Sequence, residues 1–110
     1  MFTLTPNDGA SVQQTLLKDG ATFDIPVDSV VKAAILSSDQ TQLLAGPVTL
    51  SSATSGSNWA ASQIVAVFSA SDLAALTTNN RAIVMEIQVT DGTPLSWFDE
   101  GIVKLGHITG

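Results

Sequence analysis

The chain has 110 residues, 45% of them hydrophobic, with two Trp, four Phe and neither Tyr nor Cys, which fits a single domain over residues 1–110 and excludes a multidomain enzyme. A domain of this size buries about 60–70% of the surface its unfolded chain exposes, so no disulfide, metal or cofactor is needed for folding. Ten Asp and Glu against four Lys and Arg give a formal net charge of −6, the wrong sign for a phosphate backbone, and nucleic acid is excluded as an expected partner.

Without cysteine there is no disulfide framework, no thiolate zinc site and no Cys nucleophile. No segment approaches the roughly 18 consecutive apolar residues of a membrane span, and the first residues lack the basic and apolar runs of a signal peptide. The expectation is a chain made in the cytoplasm with no membrane partner. Ser and Thr number 24 and are scattered through apolar stretches, a composition of β structure more than of a disordered linker.

Short alternating or β-branched runs separated by turn residues dominate the chain. Phe2 to Thr5 reads as a first strand, closed by the turn cluster Pro6, Asn7, Asp8 and Gly9. Ser11 to Lys18 is a second strand, and Asp19-Gly20 a two-residue hairpin turn leading into Ala21 to Ile25, with Phe23 and Ile25 on one face. Pro26 ends that strand. Val30 to Leu36 places Val31, Ala33 and Ile35 on one face of a half-buried strand near the sheet edge.

Ser37 to Gln42 is the next turn. Leu43 to Leu50 is expected to bend at Gly46-Pro47 and resume as a short strand, Val48 to Ser51. Ala53 to Asn58 is a small polar loop that returns Trp59 to the body of the protein, and Ile64 to Phe68, apolar throughout, reads as a central strand covered on both faces. Ser71, Asp72, Leu73 and Leu76 form one or two turns of helix, and Asn79-Asn80 supplies left-handed residues before Ala82 to Thr90, the cleanest alternating strand. Asp91-Gly92 closes a hairpin onto Leu95 to Phe98, and Asp99-Glu100-Gly101 is expected to turn into a last strand, Ile102 to Ile108. The expected core is Ile64, Ala66, Phe68, Ile83, Met85, Ile87 and Val89.

Chemistry is sparse. His107 is the only histidine, so neither a His-based acid–base pair nor a multi-histidine metal site assembles within one chain, and the plain reading is a polar strand residue. Ser and Thr hydroxyls without a positioned base are no nucleophile. Asp91, Asp99 and Glu100 suggest a calcium site at one end of the sandwich, but the spacing does not follow a calcium loop and turn formation explains the same residues. Trp59 and Trp97 are the candidate ligand or interface aromatics, with a sugar-stacking platform weighed against packing and packing placed ahead. No catalytic residue, cofactor or metal is assigned.

The run VAVFSASDLAALTTNNRAIVMEIQVTDGTPLSWFDEGIVKLGHIT, Val65 to Thr109, resembles small immunoglobulin-like β-sandwich proteins of tailed-bacteriophage virions, including the N-terminal domain of upper baseplate proteins. LLKDGATFDIP and VVKAAILSSD are similar to their opening strands. Where many relatives carry Gly-x-Tyr after the helical turn, this chain has Asn79-Asn80-Arg81-Ala82, and no functional residue is carried over. The resemblance implies an all-β immunoglobulin-like sandwich of about seven to nine strands with one short helical turn. It also implies a non-enzymatic virion protein, a tail or baseplate adaptor that docks on other virion proteins, as a homo-oligomer. A capsid cement protein and a carbohydrate-binding module for host attachment are the alternatives.

Overall fold

A computed structural model describes residues 1–6 and 9–105. Among them are seven strands: β1 (Phe2–Leu4), β2 (Ala10–Thr15), β3 (Val30–Ser37), β4 (Leu43–Thr49), β5 (Gln63–Phe68), β6 (Ala82–Asp91) and β7 (Thr93–Val103). The helical content is one 3₁₀ turn, Trp59–Ala61. The strands form a five-stranded sheet, β1-β7-β6-β3-β4, and a two-stranded sheet, β2-β5, with every pairing antiparallel except β1 to β7. In strand order, β4-β3-β6-β7 corresponds to the C′-C-F-G succession of an immunoglobulin-like sandwich and β2-β5 to B-E.

The alternation in β6 does what period-two patterning requires: Ile83, Met85, Ile87 and Val89 all point into the core. They meet Val31, Ala33 and Ile35 from β3 and Ile64, Ala66 and Phe68 from β5 in one apolar cluster. All seven residues expected in the core are buried. Because only two strands cover five, the segment joining β2 to β3 and the turns after β5 complete the second layer with Leu16, Ile25, Leu73 and Leu76.

Five local expectations are corrected. First, Leu43–Thr49 stays one strand across Gly46-Pro47, with no separate strand after the bend, and forms the edge beside β3, which lies between it and β6. Gly46 takes a φ of +81°, a Cβ there would lie 2.9 Å from the Ala33 carbonyl oxygen, and the ladder shifts register around Ile35. On an outer strand such a bulge accommodates proline, whose missing N–H no partner strand demands. Second, β5 is not central, for its sheet has two strands. Its unbroken apolar run has another origin: Val65 is covered by the loop carrying Gly56, whereas Val67 is about half exposed.

Third, Ala21 to Ile25 is not a strand. Asp19 and Gly20 do form the tight turn, both at positive φ, but the ladder stops after the single Lys18–Ala21 bridge. The next N–H groups are taken elsewhere, Phe23 donating to Ser62 Oγ at 3.3 Å and Ile25 to the Trp59 carbonyl at 2.8 Å. Fourth, the segment around Ser71, expected to be one or two turns of helix, forms hydrogen-bonded turns and no helix. It opens on Ser69, which donates its N–H to Asp72 Oδ2 at 2.9 Å and accepts the Asp72 N–H at 3.1 Å.

Fifth, Asp99-Glu100-Gly101 is not a turn. β7 runs straight through it, held residue by residue to β6. Gly101 serves close packing, since a Cβ there would lie 2.6 Å from the Phe2 ring that closes the core beneath β1. Val103 is the last residue of β7, and the predicted continuation to Ile108, with His107, lies outside the described residues, as do Asn7 and Asp8 of the first turn.

Candidate functional site

The two tryptophans have different fates. Trp59 opens the 3₁₀ turn, is 5% exposed, and its carbonyl accepts the N–H groups of Ile25 and Ser62. Its ring is core, with no face open for a sugar. Trp97 sits on the inner face of β7, opposite Ile87, and is only partly buried. It stacks on Phe23 with ring centroids 5.5 Å apart and donates its indole N–H to the Leu17 carbonyl at 2.8 Å. Trp97 thereby ties the β2–β3 connection to the border of the large sheet.

A cavity of about 250 Å³ lies on either side of Trp97. One is lined by Gln14, Leu17, Phe98 and Asp99 among others, the second by Lys18, Asp24, Asp91 and Leu95. Sequence reasoning found Trp97 but missed its partner Phe23, whose segment was read as a strand. It also missed Ser62. That residue is fully buried at φ +54°, donates its hydroxyl to the Leu16 carbonyl at 2.6 Å and accepts the Phe23 N–H. A serine beside apolar residues gives no sequence signal for such a role.

Ser62→Ala strands the buried Leu16 carbonyl and the partly buried Phe23 N–H. Unsatisfied groups of this kind cost about 1–3 kcal/mol, which denaturant unfolding will register, and the loosened Phe23 will unstack from Trp97 and shift its fluorescence. An unchanged midpoint would contradict this role for the hydroxyl.

The acidic trio does not assemble. Asp91 pairs with Thr93 at the β6–β7 tip, whereas Asp99 pairs with Met85, roughly 20 Å further along the strand at 3.4 Å per residue. Asp99 and Glu100, being neighbours in a strand, point to opposite faces. Asp99 accepts a hydrogen bond from Gln14 Nε2 at 3.0 Å and lies 3.3 Å from the Met1 ammonium. No group of three potential metal ligands forms among the described residues.

Asp39, in the β3–β4 turn, is a displaced acid. The hydroxyl of Ser37, then the hydroxyl and N–H of Thr41, hydrogen-bond its carboxylate and hold its pKa at about 2. Its folded value lies below the ordinary carboxylate value, so this stabilisation is present above about pH 3.9 and is lost as pH falls through about 2. Carbon-detected NMR titration will place Asp39 at about 2, and Ser37→Ala will raise it; a midpoint near 4 in the parent would refute the network.

A further feature among the described residues is the border of the large sheet at β7. There Leu95 and Phe98 are 42% and 52% exposed, on opposite sides of Trp97. The chain matches no protein-family model and no curated protein. Its candidate function therefore rests on the geometry of this surface and on the resemblance of its segments.

Proposed function

We propose that the chain is a non-enzymatic bacteriophage virion protein, a tail or baseplate adaptor, made in the host cytoplasm and incorporated into the particle, that works by docking on other virion proteins. The observation carrying this reading is an immunoglobulin-like strand order whose exposed features are strand borders and apolar side chains, with Phe98, Leu43, Val30 and Leu95 each more than 40% exposed. Low charge supports it too: 13% of residues are charged, against roughly 25–35% for a comfortably soluble surface. Apolar residues gathered at a surface mark partner sites. Mass spectrometry of purified particles tests the reading, with the chain expected at a fixed stoichiometry, and particle imaging will separate a tail or baseplate position from that of a capsid cement protein. Absence from particles would end it.

The half-buried Trp97 between two cavities supports a second reading, a carbohydrate-binding module for host attachment. Glycan-array binding lost in Trp97→Ala would favour it over adaptor function.

A further inference from the structure

β7 spans Thr93–Val103, yet β1 pairs only with Gly101, Ile102 and Val103. The first part of β7 thus forms a border of the large sheet with no described strand beside it. Lys104 donates its N–H to Leu4 next to β1, and Val103 donates to Arg81 on the β6 side. Even-numbered residues therefore aim their main-chain groups away from β6, and the unbroken β6–β7 register carries that alternation back to the hairpin. Ser96 and Phe98 each present an N–H and a C=O outward, and none of these groups has a backbone partner among the described residues.

Of the other borders, β4 carries the bulge at Gly46 and Pro47, and on β5 the Val65 side chain is covered, 6% exposed. β7 carries one device that keeps edges from pairing, Pro94, whose missing N–H lies on the outward side; between Pro94 and Asp99 it has neither charge nor bulge.

We propose that this edge pairs with the same edge of a second copy, β7 antiparallel to β7, about a two-fold axis at Ser96. Ser96 then exchanges two hydrogen bonds with the partner's Ser96, and the Phe98 N–H reaches the partner's Pro94 carbonyl on each side. The same register sets Leu95 against the partner's Trp97, and Phe98 against the partner's Pro94. Both exposed apolar side chains are covered by apolar ones.

The charges of the paired stretch are compatible with this occupant. Asp99 falls opposite the partner's Thr93, so no acidic residue of the paired stretch faces another, although each copy is net negative. The pairing ends before Gly101, leaving β1 in place. Two five-stranded sheets become one, and the interface is isologous. The inference deepens the docking reading by naming one partner.

Sedimentation equilibrium of the full chain across a dilution series tests it. A monomer–dimer equilibrium is expected, with the amides of Ser96 and Phe98 exchanging more slowly as concentration rises. Ser96→Pro removes the central donor without touching the β6 ladder and will weaken the dimer at least tenfold, about 1.4 kcal/mol. Ser96→Ala keeps the N–H and will leave it intact, and Phe98→Lys will weaken it through a charged edge. The far-UV spectrum of each variant will match the parent. A parent that stays monomeric to about 1 mM, or a Ser96→Pro dimer of parental strength, overturns the proposal. Particle mass spectrometry reads out the virion assignment separately, so a monomer present in particles sinks the edge pairing alone.

Discussion

Phe68→Ala will lower the free energy of unfolding by about 3–5 kcal/mol, the range for deleting a buried aromatic ring. Phe68 is 1% exposed at the end of β5, in register with Ala10 of β2, and packs into the single core cluster. The covering sheet has only two strands, so no third strand can slide in to refill the space. Relaxation is limited and the cavity term stays large. The next residue back, Val67, is 47% exposed on the opposite face, and Val67→Ala will cost under about 0.5 kcal/mol. Urea unfolding at matched slopes measures both. Similar costs for the two substitutions would mean that β5 does not present its faces as described.

Trp59→Ala will cost a similar amount, about 3–5 kcal/mol, whereas Trp59→Phe will be tolerated far better. The ring is buried, and its indole N–H has no hydrogen-bond partner among the described residues. Phenylalanine keeps most of the ring volume and leaves no donor to satisfy there. The contrast separates a core tryptophan from a ligand platform, since a stacking residue on the surface would lose binding and little stability. A Trp59→Ala protein as stable as the parent would reverse the assignment and return Trp59 to the binding candidates.

Strand content, the inward faces of β3, β5 and β6, and the turns at Asp19-Gly20 and Asp91-Gly92 were legible in the residues, because alternation and positive-φ turns are local rules. Ile83, Met85, Ile87 and Val89 are inward for the same reason that Glu86 and Gln88 are not. What a segment pairs with is a non-local matter. An apolar run such as Ile64 to Phe68 suits a central strand or one shielded by a loop, and only the placement of Gly56 over Val65 chose the second. Asp99-Glu100-Gly101 has turn composition, but the continuous β6–β7 ladder keeps it extended, and the glycine answers to the Phe2 ring above it. The sequence by itself determined an all-β chain with its core faces and proposed Trp59 and Trp97 as candidates. Tertiary structure decided that Trp59 is core, that Trp97 rests on Phe23 at a border, and that β1 stops short along β7, because burial and edge exposure depend on contacts between residues far apart in the chain.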